Sequence, residues 1–286
     1  MVPIRRVQWG HAYRSQGKTS VTRSKFSACL EMLFVPEAET IADRIHLAAA
    51  AGFTAVEFWD WRDKDLDAIE RALVETGIRL VGLVSTPMAP LTDPAQHDRF
   101  LDGLVESIEI AQQLRVGTLI AQAGNELPGV SRSDQHASIR HALLEAADLL
   151  EGSGVTLALE PLNTRVDHPG YYLHSTAEGL DLIAEMGRPE IRLLYDLYHS
   201  YVMDERFDAI TAGEPTLLED RVHLIAHIHL ADAPGRHEPG SGEMDWQRRL
   251  AWLESHGYDG YVGLEYSPTG GTLESLRALE RFGGAS

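Results

Sequence analysis

Four residues of the types that bind divalent metals recur at near-even intervals in the second half of this 286-residue chain. Glu160, Asp196, His229 and Glu265 each end or directly follow a short apolar run, and they lie 36, 33 and 36 positions apart. Three carboxylates and one imidazole suit Mg²⁺, Mn²⁺ or Co²⁺ better than a structural zinc ion. One such residue alone is more often an ion-pair or capping residue. Four at a regular interval favour a single divalent-metal centre.

The interval between these residues has the length of one strand, one helix and two loops. Predicted strands cover 26–30, 54–59, 79–84, 117–122, 155–160, 191–196, 225–230 and 261–265. Predicted helices cover 38–51, 64–76, 94–114, 134–152, 175–187, 206–219, 245–256 and 271–282. Eight alternating units predict an α/β fold, a single (β/α)8 TIM barrel over residues 25–286. Residues 1–24 are expected to form a flexible N-terminal tail.

Parallel barrel strands end on one face, where the loops that follow them form the active site. The loops 161–175, 197–206 and 231–245 are long and rich in polar residues, whereas the loop 151–154 before a strand is short. The four metal-ligand candidates should therefore converge on this face. Because side chains alternate along a strand, small or apolar residues lie one layer below three of them, namely Ala158, Leu194 and Gly263, whereas His227 lies below His229 and is expected to be a hydrogen-bonded core histidine.

Several nearby residues are suited to a small polyhydroxylated or keto-acid substrate, namely His199, Asn163, Arg236 and Trp59. Arg236 could bind a carboxylate through its planar fork, or form an ion pair that stabilises its own loop. Trp59 could cover the apolar face of a substrate, or pack at the barrel rim. Glu57, at the end of the second strand, is expected to lie away from the cluster as structural support.

The composition excludes several classes of function. A formal net charge of −18 argues against a nucleic-acid partner, which requires a basic surface. The chain has no apolar run of 18 residues, so no membrane partner is expected. The single cysteine, Cys29, rules out a disulfide framework and, with no secretory signal at the N-terminus, is typical of a cytoplasmic protein. None of the three lysines ends an apolar strand, which disfavours Schiff-base chemistry.

Five segments resemble the hydroxypyruvate isomerase family of the xylose isomerase-like barrel group, and the similarity extends over roughly residues 25–284. These segments are Phe26–Phe34, Leu159–Asn163, Tyr195–His199, His229–Glu243 and Val262–Tyr266. The resemblance implies a divalent metal ion held by Glu160, Asp196, His229 and Glu265. It also implies that Glu160 and Glu265 transfer protons and that His199 and Arg236 contact the substrate. Hydroxypyruvate isomerases commonly have glutamine where His229 stands, whereas the related epimerases have histidine.

The combined prediction is a metal-dependent isomerase of a small sugar or keto acid, acting by proton transfer through a cis-enediolate. A ketose 3-epimerase and a lyase or dehydratase that uses the same metal-stabilised enolate remain alternatives. An endonuclease IV-like metal hydrolase is disfavoured, because it requires several zinc ions, further histidines and a basic groove. A non-catalytic sugar-binding barrel is the remaining alternative. By analogy with related barrels, the protein could form a homo-oligomer.

Overall fold

The structure is a computed structural model that describes residues 25–205, 218 and 221–282. Eight strands form a closed barrel in chain order, which confirms the predicted (β/α)8 fold. The strands are β1 (Lys25–Cys29), β2 (Ala55–Glu57), β3 (Arg79–Val84), β4 (Thr118–Gln122), β5 (Thr156–Glu160), β6 (Ile191–Asp196), β7 (Ile225–Leu230) and β8 (Tyr261–Leu264). Neighbouring strands run parallel, for example β4 with β5 and β1 with β8.

Each strand is followed by a helix, with a short 3-10 helix before α3 (Pro94–Gln96) and another before β7 (Val222–Leu224). The helices are α1 (Ile41–Ala50), α2 (Leu66–Thr76), α3 (His97–Leu114), α4 (Arg132–Leu150), α5 (Thr176–Met186), α6 (Leu197–Val202), α7 (Trp246–Ser255) and α8 (Thr272–Phe282). Side chains of Thr40, Ser131 and Ser175 cap the first turns of α1, α4 and α5. Gly77 and Gly187 end α2 and α5 in the left-handed conformation.

The helix predicted at 206–219 lies almost wholly outside the described residues, so it stays a prediction. The loop predicted at 197–206 differs from the structure, because a six-residue helix, α6, follows β6 directly. The cause is local, because the side chain of Asp196 accepts hydrogen bonds from the backbone N–H groups of Tyr198 and His199 and so caps a helix at the strand end. The expectation of a flexible tail at 1–24 also lies outside the described residues.

The chain divides into two compact units. The first contains the described residues up to Phe58, Lys64–Val81 and those from His229 onward. In it, β1 lies between β2 and β8, and buried Arg44 donates hydrogen bonds to the carbonyl groups of Leu30, Ala38 and Glu39. Burying this guanidinium is tolerated because its donors are satisfied. Arg44 thus joins α1 to the segment that follows β1.

The second unit contains Trp59–Asp63 and Gly82–Ile228. In it, β3 pairs with β4, and β4, β5 and β6 pair in register. Its core includes a buried cluster of Val84, Ile120, Ala158 and Leu194. Ala158 and Leu194 are the residues expected one layer below Glu160 and Asp196, so the apolar surroundings predicted below these two carboxylates are confirmed. Within the described ranges, no helix combines the length and apolarity that crossing a membrane requires.

Candidate functional site

His229 and Glu265 lie next to each other at the ends of β7 and β8. The Nδ1 atom of His229 is 3.4 Å from Glu265 Oε2, and both side chains are buried. The Nη2 group of Arg236 donates a short hydrogen bond to the same carboxylate oxygen. Burial alone would raise the pKa of Glu265, but the attraction of His229 and Arg236 outweighs it and lowers the pKa to about 2. Glu265 is therefore an ionised carboxylate at neutral pH.

Glu57 belongs to this group of residues, so the expectation that it lies away from the cluster is wrong. Its Oε1 atom is 3.0 Å from His229 Nε2, and its Oε2 atom accepts a hydrogen bond of 2.9 Å from Ser27 Oγ. The strand order explains the error, since β1 pairs with both β2 and β8 and brings Glu57 close to the end of β8. A Cβ atom on Gly263 would clash with the Glu57 carboxylate. The glycine at position 263 was the signal in the sequence that another side chain occupies this space.

The loop between β7 and α7, which carries Arg236, is held by a buried aspartate that the sequence analysis missed. Asp232 Oδ1 accepts hydrogen bonds from the backbone N–H groups of Ala233 and Met244, and Oδ2 accepts one from Gly240. The backbone N–H of Ser267 also donates to the Arg236 carbonyl at 2.9 Å. These bonds fix the backbone from which Arg236 reaches Glu265. An aspartate before a turn rich in glycine and proline was the available signal.

Asp196 and His199 form a second pair, at the start of α6. The N–H groups of Tyr198 and His199 occupy Asp196 Oδ1, at 2.7 and 3.1 Å. The other oxygen, Oδ2, lies 3.6 Å from His199 Nε2. Both side chains are buried. Asp196 therefore uses one oxygen to cap the helix and directs the other toward the imidazole.

Asn163 contacts His199 and fixes the protonation of its ring. The backbone N–H of Asn163 donates to His199 Nδ1 at 3.2 Å, and its Nδ2 group lies 2.7 Å from the same atom. Because both groups are donors, Nδ1 is an acceptor and Nε2 carries the proton of the neutral ring. Asn163 also donates to Asp167 and accepts from two backbone N–H groups, so its polar atoms are engaged within the protein. The structure thus places Asn163 behind His199.

Glu160 ends β5 and is buried. Its backbone carbonyl accepts a hydrogen bond of 3.0 Å from the hydroxyl of Tyr171, which in turn accepts one of 2.6 Å from the Ala123 N–H. Burial raises the pKa of Tyr171, so this phenol stays protonated and holds the strand end.

Of the two tryptophans after β2, Trp59 is 39% exposed, whereas Trp61 donates a hydrogen bond to Ser107 Oγ. Trp61 is therefore a packing residue.

The four predicted metal ligands come together. Glu160, Asp196, His229 and Glu265 each offer one ligand atom, and these atoms lie within 4.8 Å of one another. All four residues are at most 5% exposed. Three buried carboxylates at this distance repel one another strongly unless a cation offsets their charge. Oxygen donors with one imidazole match the preferences of a divalent ion, so the residues present fit the metal that the sequence predicted.

A match to a known sequence family identifies the kind of barrel this chain forms. The sequence model of the xylose isomerase-like TIM barrel family matches residues 45–282, and the chain belongs to this family. The chain is 32% identical to a putative hydroxypyruvate isomerase from Homo sapiens over 272 residues, covering 90% of this chain and 95% of the relative. It is 31% identical to the hydroxypyruvate isomerase of Escherichia coli strain K12, covering 90% of this chain and 99% of that enzyme.

A solved structure is similar over the same range. The crystal structure of a family 2 AP endonuclease from Brucella melitensis has a TM-score of 0.82 and 31% sequence identity, covering 91% of this chain and 99% of that chain. The two isomerase relatives above support an enzyme of the isomerase kind, which agrees with the resemblance seen in the sequence.

Proposed function

We propose that this protein is a divalent-metal-dependent isomerase that moves a carbonyl group between adjacent carbons of a small keto acid or sugar. The observation that carries the proposal is the grouping of three buried carboxylates and one imidazole within 4.8 Å. The similarity to hydroxypyruvate isomerases over 90% of the chain supports hydroxypyruvate as the first substrate to test. The net charge of −18 favours a small molecule over DNA as the substrate.

Glu160, Asp196, His229 and Glu265 would hold the metal ion. When bound, a divalent ion would polarise the substrate carbonyl and stabilise the negative charge that develops on its oxygen. Mg²⁺, Mn²⁺ and Co²⁺ are the candidate ions, because oxygen donors predominate and one imidazole is present. Asp196 is proposed only as a metal ligand and not as a proton-transfer group, because one of its carboxylate oxygens already caps α6.

Glu160 and Glu265 are the proposed proton-transfer pair. The pKa of Glu265, about 2, keeps this carboxylate ionised but makes it a weak base, so removal of a proton from carbon would depend on a bound metal ion that acidifies the substrate. With hydroxypyruvate, a proton would leave C3 and a proton would be delivered to C2. The C2 carbonyl then becomes a hydroxyl and the C3 hydroxyl becomes an aldehyde, through a cis-enediolate and with no net change of atoms. The second glutamate, Glu160, would return or relay the proton.

His199, Arg236 and Trp59 are the proposed substrate contacts. The N–H donor at His199 Nε2 is available for a substrate oxygen, because Nδ1 is engaged by Asn163. The guanidinium of Arg236, which donates a hydrogen bond to Glu265, could also bind a substrate carboxylate. The exposed ring of Trp59 could cover the apolar face of the substrate. Asn163 is assigned the task of orienting His199.

The proposal is tested by following hydroxypyruvate with proton NMR after the enzyme is stripped of metal and reloaded with Mg²⁺. We expect an aldehyde product with the reloaded enzyme and little turnover with the stripped one. The variant Asp196→Asn, which loses one carboxylate charge, should need a higher Mg²⁺ concentration for the same rate. Equal turnover before and after stripping would contradict metal dependence.

A ketose 3-epimerase is the second candidate, because His229 matches the epimerases of this barrel group rather than the hydroxypyruvate isomerases. The same spectra separate the two functions. An epimerase leaves the carbonyl on its carbon and inverts the neighbouring centre of a ketose, whereas an isomerase moves the carbonyl. Inversion of ketoses without any aldehyde formed from hydroxypyruvate would favour the epimerase.

A further inference from the structure

We infer a second divalent-cation site between α3 and α4, formed by His97, His141 and Glu145. Each of these residues offers one ligand atom, and the three atoms lie within 4.8 Å of one another. The proposed isomerase function does not use any of them, so the inference goes beyond it. Two imidazoles and one carboxylate select a borderline transition cation such as Zn²⁺, Ni²⁺ or Cu²⁺ rather than Mg²⁺.

The ring of His97 is held in a state suited to metal binding. Its Nε2 atom lies 3.1 Å from the Leu91 carbonyl oxygen and 2.9 Å from Ser138 Oγ. The Ser138 hydroxyl itself donates to the Leu91 carbonyl at 2.8 Å, so its hydrogen is already engaged. The carbonyl can only accept, and Nε2 must therefore carry the proton of the neutral ring. Nδ1 is left with an available lone pair.

This arrangement is the usual one for histidines that bind metals, in which the second ring nitrogen donates to a carbonyl or carboxylate. His97 is buried, so its ring needs little reorganisation on binding. Of the ring nitrogens of His97, Nδ1 is the one that the inference assigns to the cation. A histidine with a purely structural role would need only the bond to Leu91. The imidazole of His141 and the carboxylate of Glu145 beside it are what indicate a metal site.

His141 and Glu145 supply the other two ligands from one face of α4, because they are four residues apart on the helix. The His141 Nε2 atom lies 3.6 Å from Glu145 Oε2, and the side chains are 65% and 46% exposed. The His97 and His141 rings have centroids 5.8 Å apart. A cation can therefore reach the pair from solvent while the buried ring of His97 fixes the third position. Water would complete the coordination.

The test is zinc titration by calorimetry of the wild-type protein and the variant His141→Ala. We expect His141→Ala to bind one zinc ion fewer per chain, with unchanged Mg²⁺-supported turnover of hydroxypyruvate. Glu145→Gln should weaken the same binding event by about tenfold or more. His46→Ala is the matched control, because His46 forms a similar exposed pair with Glu75, with Nε2 3.5 Å from Oε2. Equal zinc stoichiometry in the wild type and His141→Ala would overturn the inference.

Long-range proton–nitrogen NMR of the histidine rings gives a second readout that does not depend on stoichiometry. On zinc addition we expect the Nδ1 resonance of His97 to shift while Nε2 keeps its proton. The shift should disappear in His141→Ala and remain in His46→Ala. A zinc-induced shift in His97 that persists in His141→Ala, or no shift at all, would reject the site.

Discussion

The Oε1 atom of Glu57 lies 3.0 Å from Nε2 of His229, on the side of the imidazole opposite the Nδ1 atom that faces Glu265. A carboxylate in this place sets the orientation of the ring and raises its basicity as a ligand. If Nδ1 of His229 binds the metal, Glu57 acts through His229 and is a positioning residue. Ser27 in turn helps to position Glu57, because its hydroxyl donates a hydrogen bond to the Glu57 carboxylate.

Replacing this carboxylate should weaken metal binding. In Glu57→Gln the side chain keeps its size but loses its charge, and we expect the affinity for Mn²⁺ to fall by about 10–100-fold. The affinity is measured by the electron paramagnetic resonance of unbound Mn²⁺. Glu109→Gln, a charge-neutralising change at an exposed position of α3, is the control and should have no effect. Wild-type affinity in Glu57→Gln would show that the contact is only structural.

The missing side chain at position 263 should matter for the same reason. In Gly263→Ala the new methyl group would clash with the Glu57 carboxylate, so Glu57 must move away from His229. We expect a loss of about 1–3 kcal/mol in the free energy of unfolding and weaker Mn²⁺ binding. Gly117→Ala is the matched control, because a Cβ there meets no atom within 4 Å. Urea denaturation and Mn²⁺ titration of both variants check the prediction, and equal behaviour of the two would refute it.

Asn163 should affect turnover more than metal affinity. The change Asn163→Ala removes the side-chain donor that lies 2.7 Å from His199 Nδ1 and leaves only the backbone N–H at 3.2 Å, so the ring orientation and the proton on Nε2 are held less firmly. We expect kcat/KM for hydroxypyruvate to fall by about tenfold or more, because the substrate loses an oriented donor. Mn²⁺ titration on the same preparation separates this effect from loss of the metal. A large fall in Mn²⁺ affinity with unchanged kcat at saturating metal would contradict the assignment.

Glu238 should make stability depend on pH. Burial would raise the pKa of Glu238, but hydrogen bonds from the side chain and backbone of Thr269 outweigh burial and lower the pKa below its ordinary 4.5. A carboxylate with a lowered pKa stabilises the folded state above the pKa of the unfolded chain. This contribution is lost as the pH falls through the folded pKa. Below pH 4.5 the folded loop would therefore progressively lose it.

The measurement is urea unfolding of the wild type and Glu238→Gln between pH 7 and pH 3.5. We expect the variant to be less stable by about 1–3 kcal/mol at pH 7, because it loses bonds to a charged acceptor. The difference should shrink below about pH 4.5, where the wild-type carboxylate also becomes protonated. A difference that stays constant over this range would mean that charge is not the cause.

The sequence was sufficient for the barrel and the metal-ligand candidates, because both depend on periodic patterns. The strand ends of β5 and β6, with Glu160 and Asp196, were predicted to the residue. The position of Glu57 was not predicted, because a carboxylate at a strand end can face the pocket or a neighbouring ion pair. Only the pairing of β1 with both β2 and β8 decides which of the two it faces. The orientation of Asn163 behind His199 was equally hidden, because it depends on the path of a loop.

The central claim is that the buried carboxylates move a proton with the help of a metal ion, and solvent exchange tests it most directly. Hydroxypyruvate is incubated in heavy water with Mg²⁺-loaded wild-type enzyme, with stripped enzyme and with Glu265→Gln. Deuterium entering the carbon positions next to the carbonyl is followed by NMR. We expect incorporation with the loaded wild type and none above background with the other two. Full incorporation with Glu265→Gln would remove Glu265 from the proton-transfer role, and full incorporation without metal would contradict the account.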